Sequence, residues 1–283
     1  AKILAEAGLK KDVFIAHCPE RVLPGRVMQE LIINDRIIGG MTDACSNAAA
    51  SLYRVFVTGT CVVASGPRVA EMAKLTENSF RDVNIAFANE LSMICDELEM
   101  DVWELISLAN RHPRVSILQP GPGVGGHCIA VDPWFIVSSA PEKSRIIRTA
   151  REINDAKSHW VIEKVHAGIG TYLMDHPHKC AADVTLAVYG LAFKPDIDDL
   201  RESPALAIAR SLAVSHIGQL KVLEPNIKTL PSGLESAELV SSGTVSADIH
   251  VMLVDHSTFR GAPMPNGTVI DTRGVWLKCQ KGQ

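Results

Sequence analysis

From residue 184 onward the chain alternates short apolar strands with helical segments, and this alternation constrains its fold more than any other feature. Residues 184–193 (VTLAVYGLAF) form one continuous apolar run with a glycine near its C-terminal end, which reads as a strand. Residues 204–214 follow as a helix, with Ser203 placed to cap it and Pro204 in its first turn. Residues 221–223, 250–254 and 269–271 are further strands. Strand and helix in regular turn predict a parallel, doubly wound sheet.

The front of the chain has the same grain. Residues 12–16 and 36–39 read as short buried strands, 42–56 as a helix and 61–64 as another strand. Residues 1–11 read as a short helical stretch with no cleavage pattern. The sequence begins without Met, and these fragments have the pattern of the closing part of an α/β unit. Strands at 12–16 and 36–39 are then expected to present unpaired edges. Residues 68–100 are the longest periodic segment, with Val69, Met72, Phe80, Val83, Phe87, Leu91, Ile94 and Leu98 at helical spacing. A helix at 102–110, a loop-rich stretch to 128 and a long helix at 143–173 follow. The expected architecture is α/β. It comprises a remnant of an N-terminal Rossmann domain (1–66), a central long-helix segment (67–175) and a C-terminal Rossmann-like doubly wound parallel sheet (176–283).

A chain of 283 residues suits two domains, or two with a helical connection. The formal net charge of -4 gives no electrostatic ground for a nucleic-acid or anionic-membrane partner. No apolar run approaches the ~18 residues of a membrane span. Seven cysteines, odd in number and without a C-x-x-C pair, argue against a disulfide framework and a structural zinc site, and for a reducing cytoplasm. His176-Pro177-His178-Lys179-Cys180 has the residue types of a metal tract but lies in a polar link between helix and strand, and no metal is expected there.

The densest chemistry lies in residues 120–133 (PGPGVGGHCIAVDP). Gly121, Gly123, Gly125 and Gly126 precede Cys128, so little besides backbone crowds the approach to its thiol. Asp132 follows four residues later, within one turn if a helix starts there. A nucleophile with a nearby acid or base is the pattern of covalent catalysis, with a buried structural cysteine as the alternative. Gly121, Gly123 and Gly126 also spell G-x-G-x-x-G. Pro122 and the preceding proline-rich loop make this a close-approach loop for substrate rather than a dinucleotide fingerprint. Lys74, Asn78 and Arg81 share one face of the long helix, and a lysine near a thiol stabilises a thiolate or an oxyanion. Residues 18–25 (CPERVLPG) follow a strand end, where open α/β sheets place ligands. Lys194 and Arg201 lie between a strand and a helix N-terminus, a setting suited to phosphate.

Taken in order, Pro19-Glu20, Lys74-x-x-x-Asn78, Gly125-Gly126-x-Cys128-x-x-x-Asp132 and Phe193-Lys194 through Arg201-Glu202-Ser203 resemble the UDP-glucose/GDP-mannose dehydrogenase family. The resemblance runs from about residue 12 to residue 276. It implies oxidation of a nucleotide sugar's C6 alcohol to a carboxylate with two NAD+ per sugar. Cys128 is then the implied nucleophile, capturing the aldehyde and passing through a thioester. Lys74 takes an acid–base or oxyanion role, Asn78 and Asp132 position water and substrate, and Glu20 assists thioester hydrolysis. Arg21, Val22, Arg81, His112, Arg114, Gly125, Lys194 and Arg273 are the implied UDP-sugar contacts, with Arg114 coming from the neighbouring subunit of a homodimer. Arg201 is the implied NAD contact.

Residues 18–25, 110–115 and 126–135 are most similar to the branch that acts on UDP-N-acetyl-D-mannosamine. UDP-N-acetylglucosamine, UDP-glucose and GDP-mannose are the other substrates to weigh, and a non-catalytic nucleotide-sugar-binding or dimerisation module is the alternative of another class. A cysteine hydrolase using His127 and Cys128 is disfavoured, because adjacent residues rarely face one another. The family's glycine fingerprint and acidic ribose partner are not among these residues, so the chain by itself is expected to be inactive or nearly so.

Overall fold

The computed structural model describes residues 13–22, 26–240 and 245–276. The expected helix at 1–11, Asp12 of the first expected strand, residues 23–25 of the proline-rich loop and Cys279 lie outside the described residues. The chain divides into two compact units, residues 1–78 and 79–283.

The first unit carries three strands, β1 (Ala16–His17), β2 (Arg36–Gly40) and β3 (Cys61–Val63). Helix α1 (Val27–Ile33) lies between β1 and β2 in sequence, and α2 (Asp43–Tyr53) between β2 and β3. β2 pairs antiparallel with β1 through Ala16↔Gly40 and parallel with β3 through Arg36↔Cys61. The strand expected at 36–39 is therefore no open edge, since both of its flanks are paired. The strand expected at 12–16 shrinks to two residues for a related reason. Its pairing ends where Met41 donates to the Ile15 carbonyl at 3.0 Å, and Val13 and Phe14 run out into solvent. Thr42 starts α2 by accepting a hydrogen bond from the Cys45 amide at 3.2 Å. Helix α1 escaped prediction because it buries none of its residues, so its apolar positions show no inward face.

A 31-residue helix, α3 (Pro67–Glu97), begins in the first unit and ends in the second. Its period is as expected, and its apolar stripe faces outward. Phe80, Phe87 and Ile94, seven residues apart, are 69%, 51% and 44% exposed, while Asp82 and Asn89 are fully buried. The reason is the partner helix in the second unit, α6 (Arg145–Asp175), which buries Arg151, Asn154 and Lys157. Asp82 accepts from Arg151 at 2.7 Å and from Asn154 at 2.8 Å. Charged and amide groups out of water require such partners, so the polar faces meet and the apolar stripe is left outward.

Between them the second unit places α4 (Val102–Ala109) and α5 (Asp132–Ser139). After α6 come β4 (Leu186–Tyr189), α7 (Pro204–Ser215), β5 (Leu220–Leu223), β6 (Glu238–Val240), β7 (Ile249–Met252) and β8 (Thr268–Asp271). The five strands form one wholly parallel sheet in the order β6-β5-β4-β7-β8. Side chains alternate across it. Leu186 and Val188 join Val161 and Val165 of α6 and Ile208 and Leu212 of α7 on one face. Ala187 and Tyr189 turn to the other face with Leu223, Met252 and Trp276. The run expected as strand over 184–193 stops at Tyr189, because the Leu191 and Ala192 amides donate to the Glu224 carboxylate at 2.7 and 3.1 Å instead of to a strand. Ser203 caps α7 as expected, accepting from the Leu206 amide at 3.3 Å and donating to the Leu191 carbonyl at 2.6 Å. Strand order reverses between β4 and β7, so their C-terminal ends open a crevice. No described helix is long and apolar enough to cross a membrane.

Candidate functional site

A cavity of about 270 Å³ lies at that crevice. Phe193, Lys194 and Pro195 line it after β4, Val254 and Asp255 after β7, and Arg273 after β8. Residues 121–125 and Ile129 of the glycine loop, with Arg81 of α3, close the remaining sides. The structure thus brings Arg81, Gly125, Lys194 and Arg273 to one cavity.

The glycines serve close approach, but to the chain itself. A side chain on Gly121 would begin 2.7 Å from Arg273 Nη1, and one on Gly125 would begin 2.6 Å from the Glu202 carbonyl. The loop can lie against the start of α7 and the Arg273 guanidinium only because nothing projects there.

Arg81, Lys194 and Arg273 share the lining of this cavity with a single carboxylate, Asp255. Burial raises the Asp255 carboxyl, yet the guanidiniums of Arg273 and Arg260 outweigh it and hold it below the ordinary carboxylate range. Arg273 is therefore already matched, through Nε to Asp255 at 2.8 Å. Lys194 stands over the Phe193 ring, 5.3 Å from its centroid, with no carboxylate partner among the described residues. The cavity keeps an excess of positive charge and suits an anion with several oxygens.

Cys128 is exposed, and its neighbour Ile129 lines the cavity. The Cys128 carbonyl accepts from the Asp132 amide at 2.8 Å, which closes the expected turn, and Asp132 opens α5. In the first unit, Glu20 accepts two hydrogen bonds from the nearly buried Arg36, at 2.8 and 3.0 Å. Arg21 pairs with Glu77 at 2.7 Å, and Val22 follows it half-buried. Lys74 and Asn78 lie one turn apart on α3, the first half-buried and the second buried. His112 and Arg114 lie apart from the cavity, in the exposed turn after α4 where His112 Nδ1 accepts from the Arg114 amide at 3.3 Å. Arg201, also outside it, is exposed and forks onto Asp199, which it holds at about 2.

One element of the site went unread in the sequence. Glu224, at the end of β5, is buried with His256, whose Nε2 lies 3.0 Å from its carboxylate. With that nitrogen donating, His256 Nδ1 accepts from the Asp196 amide at 2.9 Å and from Asn226 at 3.1 Å. Glu224 and His256 together fix the turn that carries Lys194. An acidic residue at the end of the sheet's second strand was the available signal.

Three stretches of the chain match one family, the UDP-glucose/GDP-mannose dehydrogenases: residues 1–57 its NAD binding domain, 68–156 its central domain and 187–278 its UDP binding domain. The chain is 59% identical over 277 residues to the UDP-N-acetyl-D-mannosamine dehydrogenase of Salmonella typhimurium, covering 96% of this chain and 66% of that protein. It is 57% identical over 276 residues to the NDP-N-acetyl-D-galactosaminuronic acid dehydrogenase of Ralstonia solanacearum, covering 96% of this chain and 63% of that one. The native structure of the UDP-N-acetyl-mannosamine dehydrogenase from Staphylococcus aureus superposes with a TM-score of 0.79 at 37% identity, covering 97% of this chain and 64% of the other. The chain spans slightly less than two thirds of the length of each.

Proposed function

Because the chain belongs to the UDP-glucose/GDP-mannose dehydrogenase family, we propose that it supplies the sugar-nucleotide site and the nucleophile of an NAD-dependent 6-dehydrogenase acting on UDP-N-acetyl-D-mannosamine. The observation that carries this reading is the cation-rich cavity at the ends of β4 and β7, bordered by the loop that leads to Cys128. A nucleoside diphosphate brings its phosphate oxygens to Arg81, Lys194 and Arg273. The sugar that follows the phosphates reaches toward the thiol. The name of the Salmonella relative supports the choice of sugar.

In this reading the C6 hydroxyl gives its proton to Lys74 and loses a hydride, leaving an aldehyde. The Cys128 thiolate adds to the aldehyde carbon, and loss of a second hydride from that carbon leaves a thioester. Water held by Asn78 and Asp132, with Glu20 as base, cleaves the thioester to the C6 carboxylate and frees the thiol. Within the first unit, Arg36 holds the Glu20 carboxylate through two hydrogen bonds. NAD+, when bound, accepts the hydride in each oxidation.

The residues present fit an edge of a dinucleotide site. β2 and β3 run parallel, and beyond β3 no atom of a described residue lies within 4 Å of where a side chain on Gly66 would begin. Residues 64–66 would hold the cofactor at these strand ends, and Arg201 would reach it.

We place a homodimer contact on the outward stripe of α3, since Phe80, Phe87 and Ile94 give a continuous apolar seam at heptad spacing. The free cysteines among the described residues support a reducing cytoplasm as the setting.

The test places this chain in the corresponding two thirds of the Salmonella relative and supplies NAD+ with UDP-N-acetylmannosamine. Two NADH per sugar, lost in Cys128→Ala while UDP-sugar binding persists, is the expected result. One NADH per sugar, or full activity in Cys128→Ala, overturns the thioester route. Faster turnover of UDP-N-acetylglucosamine, UDP-glucose or GDP-mannose overturns the sugar assignment.

A further inference from the structure

Residues 120–122 are buried backbone in a stretch that belongs to no helix or strand, so each of their polar groups needs a partner from elsewhere. Each residue receives one from a different element. The Pro120 carbonyl accepts from Arg273 Nη1 at 3.1 Å, beyond β8. The Gly121 amide donates to Asn89 Oδ1 of α3 at 2.9 Å. The Pro122 carbonyl accepts from Ser158 Oγ of α6 at 2.9 Å.

The Asn89 contact has a fixed polarity. The Asp82 carboxylate, held by Arg151 at 2.7 Å, can only accept, so Asn154 must turn its amide nitrogen to it, at 2.8 Å. The Asn154 oxygen then faces Asn89 Nδ2 at 2.9 Å. That leaves the Asn89 oxygen for the Gly121 amide. Asn89 is 0% and Asn154 1% exposed, so water offers neither an alternative.

We propose that Asn89 and Ser158 are positioning residues, clamping residues 121–122 so that the glycine loop forms the anion cavity and presents Cys128 in one place. The proposal rests on the reading of that cavity as a UDP site. A purely structural role would show in stability alone. A positioning role shows in ligand affinity and in thiol accessibility while the fold persists.

The experiment uses the 283-residue chain with UDP as calorimetric probe. Iodoacetamide labelling of Cys128 is read by mass spectrometry against Cys180, the other exposed thiol among the described residues. Ser158→Ala is expected to weaken UDP about fivefold, the effect of one lost hydrogen bond, and to change the Cys128/Cys180 labelling ratio. Ser158→Thr, which keeps the hydroxyl, restores both. Asn89→Ala acts in the same direction; if it fails to fold, Ser158→Ala decides alone. Val165→Ala, in the core facing the sheet on the same helix, lowers the melting midpoint but leaves affinity and ratio as in the wild type. Unchanged affinity and ratio in the folded variants overturn the clamp. If the wild-type chain itself fails to bind UDP, the proposed function falls, and the labelling ratio still decides the clamp: a changed ratio supports it and an unchanged one overturns it.

Discussion

Arg273 reaches back across 153 residues of sequence to hold the Pro120 carbonyl at 3.1 Å. The same guanidinium is tied through Nε to Asp255 at 2.8 Å, so one side chain links the end of β8, the end of β7 and the glycine loop. Gly121→Ala tests the value of that link. The added methyl would start 2.7 Å from Nη1, forcing Arg273 or the loop to move. We expect a loss of stability of about 1–3 kcal/mol, as for overpacking elsewhere, and a larger proportional loss of UDP affinity. Thermal melts and calorimetry read the two, and wild-type affinity in the variant would refute the link's part in binding.

Thiol reactivity separates Cys128 from the other cysteines without any turnover. Cys128 and Cys180 are exposed, whereas Cys45 and Cys95 are buried. Limiting iodoacetamide is expected to label the first two and spare the second two, since access governs alkylation. A saturating UDP-sugar is expected to slow labelling at Cys128 and leave Cys180 unaffected. Equal protection of both would place the ligand elsewhere.

Glu224→Ala removes the acceptor for two buried amides and for His256 in one step. Leaving two buried amides and the imidazole N–H without their acceptor costs about 1–3 kcal/mol each, and here the turn that carries Lys194 is released as well. A melting midpoint lower by roughly 10 °C is expected on that scale. Glu224→Gln retains an acceptor oxygen and is expected to fall between. A Gln variant as unstable as Ala would show that the charge, rather than the hydrogen bonds, holds the turn.

These groups differ in how far the sequence revealed them. Lys194 could be read because it follows a strand of an alternating pattern, and Ser203-Pro204 marks a helix start by chemistry that is local, whereas Arg273 came only with the family resemblance. Glu224 follows a strand too, but its partner His256 lies 32 residues on, and nothing local announces the pairing. Asn89 and Asp82 were hidden more thoroughly. A polar residue on a helix looks the same in sequence whether it faces water or a second polar helix, and α6 supplies that helix from 65 and more residues away. The same ambiguity holds for Phe80 and Phe87, whose spacing signals an apolar face without saying whether this chain covers it. Local chemistry and period were legible, whereas the choice of partner across the fold was not.

Lys157 gives the second unit a measurable pH dependence. The side chain is 2% exposed, donates to Ser92 Oγ at 2.7 Å and lies 3.4 Å from the Trp160 ring centroid. Burial pulls its ammonium down to about 7; Asp96 opposes this and Lys164 adds to it. Between that value and the 10.5 of an ordinary lysine, the unfolded chain holds a proton that the folded chain does not. Stability therefore rises with pH across this window, by up to about 1.4 kcal/mol per unit, and the contribution is lost as pH falls toward 7. Lys157→Met removes the titration while keeping much of the side chain's bulk. The difference in melting midpoint, wild type minus Met variant, is expected to grow from pH 7 to pH 10 and to stay flat between pH 5 and pH 6. Subtracting the two proteins cancels the other titrating groups, so a difference that is constant from pH 7 to pH 10 would mean that Lys157 keeps its proton in the folded state.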